Sequence, residues 1–207
     1  MAPRTALLVI DMQVFFESMT TSALPNIIQL CNHFSKTSAP IIFTQHGHTK
    51  AELTANPSPN QLVRKWGPSG SIAAGSPDWE LSDDLRQFIP KLPSQPVKVG
   101  ESFPPAEEAD KFPKLLAKNT YDAFINTNLA KILETSKIER LVVCGVMTDC
   151  CCDTTARSAF NRGYETWLVS DACGSANKRQ HEAGLRGFGF AFGEVLTTSD
   201  AIRQLGG

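Results

Sequence analysis

Seven short apolar runs alternate with amphipathic stretches along this chain of 207 residues, and that alternation limits the folds open to it more than any other feature. The runs at residues 6–10, 40–44, 96–99, 115–118, 141–145, 166–170 and 194–197 have the length and composition of strands. Between them, residues 24–35, 81–88, 127–135, 149–161 and 178–189 carry helical periodicity. The expectation is an α/β fold: three layers, α/β/α, around a mainly parallel central sheet, in a single domain over 1–207. Such sheets bind ligands beyond the carboxyl ends of their strands. That rule singles out Asp11, His46, Lys118 and the cysteines Cys150, Cys151 and Cys152.

The strand end within residues 141–157, LVVCGVMTDCCCDTTAR, says most about chemistry. Leu141, Val142, Val143 and Cys144 read as a strand buried on both faces, and Gly145 interrupts it. Thr148 suits a helix N-cap, and Asp149 suits the positive end of that helix. The three cysteines then fall on the first turn. There the helix dipole favours a thiolate, and unpaired N–H groups can hold an oxyanion. Successive helix positions differ by about 100°, so at most one thiol faces a given pocket, and the local pattern does not say which. A cysteine is as readily a small buried hydrophobe.

Hydrophobic residues make up 42% and charged residues 20%, the balance of a globular chain with a full core. A net charge of −1 offers no electrostatic attraction for nucleic acid or an anionic membrane surface, and no apolar run approaches spanning length. Four of the six cysteines crowd between Cys144 and Cys152, a spacing unsuited to a disulfide framework. They read as reduced thiols and the compartment as cytoplasmic. Residues 47–77 show no period and many Pro and Gly, the mark of a long functional or mobile loop, with Trp66 and the nearby Trp79 expected to cover a pocket. Residues 104–113 read as an acidic surface excursion bounded by proline.

Asp11 closes the strand ALLVID and Lys118 closes KLLAK, at strand ends equivalent to the one that carries the thiols. An acid that accepts a thiol proton, a lysine that steadies the thiolate and a cysteine that attacks a carbonyl suffice for acyl transfer. Asp11 and Lys118 would equally make a buried ion pair between neighbouring strands.

Three ordered motifs resemble those of the isochorismatase-like cysteine hydrolases, a family that includes nicotinamidases and N-carbamoylsarcosine amidohydrolases. D-x-Q-x-x-F is met by Asp11, Gln13 and Phe16. K-x-x-Y-x-A-F with T-x-L is met by Lys118, Tyr121, Ala123, Phe124, Thr127 and Leu129. C-G-V-x-T-D-x-C with T-A-R is met by the run from Cys144 to Cys151 and by Thr155, Ala156 and Arg157. The resemblance spans essentially the whole chain. It implies the isochorismatase-like, Rossmann-like form of the three-layer fold and Cys151 as nucleophile beside Asp11 and Lys118. It implies the backbone N–H groups of Met147 and Cys151 as oxyanion donors, and a cis peptide at Val146–Met147. Gln13, Phe16, His46, Trp66, Tyr121 and Thr148 are the expected substrate contacts, and Cys151 the expected most acidic thiol. Where nicotinamidases carry Asn-Asp ahead of the aromatic, this chain has Val14 and Phe15.

Metal-dependent members use an aspartate and two histidines after the second strand. Here His46 stands in the aspartate's place and His48 follows without a carboxylate, so no metal and no cofactor are expected. The implied activity is hydrolysis of a C–N bond in a small amide, carbamoyl or ureido substrate through a thioester acyl-enzyme. Hydrolysis of an enol ether such as isochorismate is the alternative reaction, and a catalytically silent binding protein the non-enzymatic alternative. The family further implies homodimers or homotetramers, for which Phe188, Phe190 and Phe192 offer apolar surface.

Overall fold

The computed structural model describes residues 2–206; Met1 and Gly207, the two ends of the expected domain, lie outside the described residues. The strands are β1 (Thr5–Ile10), β2 (Ile41–His46), β3 (Ser102–Phe103), β4 (Lys114–Lys118), β5 (Arg140–Val146), β6 (Glu165–Gly174) and β7 (Glu194–Leu196). The helices are α1 (Glu17–Thr20), α2 (Leu24–Lys36), α3 (Lys50–Thr54), α4 (Gln61–Trp66), α5 (Asp83–Arg86), α6 (Leu129–Thr135), α7 (Asp153–Asn161), α8 (Lys178–Ala191) and α9 (Thr198–Gln204). A π-helical turn, Thr148–Cys152, leads into α7.

The strands form one sheet in the order β3-β4-β2-β1-β5-β6-β7, parallel except where β3 meets β4. Successive side chains of a strand face opposite layers, and in β1 both sets are apolar. Leu7 and Val9 share a buried cluster with Ile27, Leu30 and Phe34 of α2 and Ala201 of α9. Ala6, Leu8 and Ile10 share another with Ile132 of α6, Ala156 of α7 and Phe188 of α8. Helices thus cover both faces, giving the three expected layers. Each Leu, Ile or Phe among these core side chains is worth ~2–5 kcal/mol on truncation to Ala. Gly145 lets β5 close on β1: it sits at φ +117°, and a Cβ there would lie 2.1 Å from the Ile10 carbonyl oxygen.

Several expectations fail for local reasons. Residues 96–99 form no strand; the short edge strand is β3, further along, which leaves Pro93 and Pro96 outside the ladder, where their missing N–H costs nothing. The helix expected at 81–88 shrinks to the single turn α5. The aperiodic segment 47–77 holds α3 and α4, each with its own N-cap. Thr49 and Glu52 form a reciprocal capping box on α3, and Asn60 accepts from the Leu62 N–H on α4. Of the three phenylalanines expected at a surface, Phe188 is buried and stacks on Phe192, and only Phe190 is strongly exposed. No helix of the described residues is long and apolar enough to cross a membrane.

Candidate active site

Strands β4, β2, β1 and β5 end along one edge of the sheet, on either side of the point where strand order reverses. The register Ile10↔Gly145 and His46↔Lys118 brings the residues after these strands together. Asp11 is the first residue beyond β1 and takes φ +48°, a conformation that non-glycine residues keep only where the surroundings enforce it. Thr44 of β2 enforces it from both sides. Its hydroxyl donates to Asp11 Oδ1 at 2.6 Å and accepts the Asp11 N–H at 3.1 Å. Lys118 Nζ lies 2.6 Å from Asp11 Oδ2 and donates to the Thr120 carbonyl at 2.9 Å. Both side chains are fully buried.

The Lys118 ammonium pairs with Oδ2 as a buried ion pair. The Cys151 thiol faces both groups. Burial opposes the charged form of Lys118, but the Asp11 carboxylate beside it outweighs this and raises its pKa. Burial, together with Asp11, raises the Cys151 thiol well above its ordinary value despite the pull of Lys118. At rest the site therefore holds an ion pair and a neutral thiol. The expectation that Cys151 is the most acidic thiol is corrected: half-buried Cys150 is raised only to about 11. Desolvation outweighs the helix dipole.

The π turn that carries Cys151 is held from three sides. The Thr148 hydroxyl donates to the Gly174 carbonyl at 2.9 Å and meets His181 Nδ1 at 2.8 Å. With that proton committed, His181 is the donor in the second contact. Asp149 accepts from the Ser175 hydroxyl and from Gln180 at 3.2 Å. At Gly184 of α8 a Cβ would come within 2.9 Å of the Asp149 Cα, so the helix can approach only as glycine. The Val146–Met147 peptide is cis. The Met147 carbonyl takes the N–H groups of Cys150 and Cys152, 3.1 Å each, and bypasses that of Cys151 between them.

A cavity of about 270 Å³ opens above Cys151. Phe16, His46, Trp66 and Tyr121, four of the expected contacts, lie on its wall. Exposed Trp66 donates its indole N–H to the Tyr121 hydroxyl at 2.8 Å and roofs the mouth. Gln13 and Thr148 do not line it, which corrects their expected role. The Gln13 amide accepts the His46 N–H at 2.7 Å and donates to the carbonyls of His46 at 3.0 Å and Trp79 at 2.9 Å, so it braces the wall from behind. Thr148 is committed to Gly174 and His181. Trp79 is buried against Gly47 rather than over the cavity. Sequence reasoning missed Thr44 and the wall residues Phe15, Met19, Leu62 and Ile72. Extending the pairing Val9↔Phe43 by one residue sets Thr44 opposite Ile10, the residue before Asp11.

His46 and His48 point their Nε2 atoms at each other, 3.1 Å apart. Burial, then Lys118 and His48, hold His46 well below the usual imidazole range. Burial also lowers His48, against the opposing charge of Glu52. Among the described residues no group of three or more His, Cys, Asp or Glu gathers to hold a metal ion. Two rings engaged with each other do not fit a resident zinc, which takes three or four protein ligands.

An isochorismatase domain model matches residues 5–95 and 96–200 of the chain. Nicotinamidase 3 of Arabidopsis thaliana is 32% identical over 199 residues, which cover 96% of this chain and 87% of that protein. A ureidoacrylate amidohydrolase of Pseudomonas syringae pv. syringae is 27% identical over 215 residues, covering 95% of this chain and 81% of that one. Among solved structures, a cysteine hydrolase from Pseudomonas syringae pv. phaseolicola superposes with a TM-score of 0.74 over 98% of this chain and 92% of its own, at 23% identity, a likeness of fold.

Proposed function

The chain belongs to the isochorismatase family, and from that premise we propose that it hydrolyses a C–N bond of a small amide, carbamoyl or ureido substrate, with Cys151 as nucleophile and Asp11 and Lys118 as its partners. The observation that carries the reading is the buried Asp11–Lys118 ion pair beside the Cys151 thiol at the floor of the cavity. Asp11 takes the thiol proton as sulfur attacks the carbonyl carbon. Lys118 offsets the charge that then resides on sulfur. The developing oxyanion accepts from the backbone N–H groups of Met147 and Cys151. Asp11 returns the proton to the leaving nitrogen, the C–N bond breaks, and a thioester remains. Water gives a proton to Asp11 and attacks the thioester. The C–S bond breaks, the acid departs and the proton returns to sulfur.

This sequence needs no free thiolate at rest, which suits the raised Cys151. Relatives named as a nicotinamidase and a ureidoacrylate amidohydrolase support C–N cleavage over ether hydrolysis. The test is ammonia release across a panel of small amides and ureas, with isochorismate included. Cys151→Ala is expected to lower amide turnover by at least ~10⁴-fold. Ether hydrolysis that survives this substitution, with no ammonia from any amide, would favour the alternative reaction.

A further inference from the structure

The cavity wall has an electrostatic character that narrows the substrate further. No Lys or Arg lines it among the described residues. Lys118, beneath it, is engaged by Asp11 and the Thr120 carbonyl. The titratable wall groups His46, His48, Tyr121 and Cys151 are all shifted towards their neutral forms. Most polar atoms of the wall are engaged with protein. Ser71 donates to the Gly67 carbonyl at 2.8 Å, and the Trp66 indole N–H to Tyr121 at 2.8 Å. What remains is Phe15, Phe16, Met19, Leu62 and Ile72, with the faces of Trp66 and Tyr121.

Nδ1 of His46 and Nδ1 of His48 are buried away from the cavity, and the His46 ring also meets the Thr120 backbone. The Nε2 atoms of the two rings share one proton across 3.1 Å. Two neutral rings joined in this way carry one Nδ1–H donor and one bare Nδ1 acceptor. Neither ring therefore brings a charge or a free ring nitrogen to a substrate in the cavity. A carboxylate buried here would lose its hydration with no charge to replace it.

We propose that the substrate is an uncharged carboxamide with an apolar, aromatic or aliphatic body, and that amides bearing a carboxylate are rejected. The proposal rests on the amide-hydrolase reading and deepens it.

The experiment uses matched pairs in which one member carries a carboxylate: benzamide with 4-carboxybenzamide, and pentanamide with succinamate. Two readouts are taken, kcat/KM for ammonia release by the wild-type chain and calorimetric binding of the same compounds to Cys151→Ala. The neutral member of each pair is expected to lead by ~100-fold or more in kcat/KM and to be the only one that binds measurably. Leu62→Lys, which brings an ammonium to the wall, is expected to narrow that ratio by at least ~10-fold. Equal or better use of the carboxylate members overturns the inference and leaves the amidase reading standing. Ammonia from no compound at all counts against the amidase reading instead, and the binding readout then decides the inference alone: preference for the neutral members supports it, and preference for the anions sinks it.

Discussion

Lys114 and Lys118 stand at the two ends of one five-residue strand, β4, and both are fully buried. What surrounds them differs. Lys114, at the amino end, is wrapped by the carbonyls of Pro105 at 2.8 Å, Glu108 at 2.9 Å and Pro104 at 3.4 Å. The Phe112 ring lies 5.3 Å away. Burial lowers its pKa, and the charges of Glu108 and Glu107 only partly oppose this. Lys118, at the carboxyl end, meets a carboxylate and a thiol, and its pKa rises. Backbone dipoles are enough to hold a cation that organises a loop. A cation that must answer a change of charge on sulfur is set against a formal counter-charge. The two ends of a parallel strand are not equivalent, and chemistry gathers at the carboxyl end.

The sharpest way to break this contrast is to remove each ammonium in turn. Lys118→Met is expected to lower kcat/KM by ~10³-fold or more, and to cost ~3–5 kcal/mol because Asp11 is left buried and unpaired. Urea unfolding beside steady-state kinetics separates the two effects. A destabilised but fully active Lys118→Met protein would reduce the pair to structure. Thr44→Val tests the positioning of Asp11, with an expected fall in kcat of ~10–100-fold and little change in KM. A rise in KM alone would place Thr44 among substrate contacts instead. Lys114→Met is expected to cost ~1–3 kcal/mol, since three carbonyls lose their donor, while kcat/KM stays within ~3-fold. An inactive Lys114→Met protein that unfolds like wild type would erase the contrast.

The smallest effect is in alkaline stability. The folded pKa of Lys118 is raised, so its stabilising contribution is intact below the unfolded value of about 10.4 and is lost as pH climbs through the folded pKa. The folded pKa of Lys114 is lowered, so stability recovers as pH climbs from that folded value towards about 10.4. Unfolding measured from about pH 9 to about pH 11 should therefore show a shallower alkaline loss in Lys118→Met and a steeper one in Lys114→Met. Identical slopes would mean that the two ammonium groups experience the same field.

The doubly buried runs of β1, β2, β4 and β5 were legible because apolar residues on both faces leave little choice but a covered parallel strand. Two helices inside residues 47–77 were not read, although their caps, Thr49 with Glu52 and Asn60, stood in the sequence. That Asp11, Lys118 and a thiol among residues 150–152 gather at one edge was legible because each follows or ends a strand there; the choice of Cys151 came from the family resemblance alone. Gln13 and Thr148 were misjudged because their polar atoms are engaged by Trp79 and Gly174, residues whose proximity only the register reveals. The acidity of the thiols was misjudged because a helix terminus shows in sequence and desolvation does not.

Rapid acid quench during turnover of a neutral amide, followed by peptide mass mapping, tests the central claim most directly. The account predicts an acyl group on Cys151, removed by hydroxylamine, present in wild type and in Lys114→Met and absent in Lys118→Met. Ammonia release with the acyl group on Cys150, or on no cysteine, would contradict it.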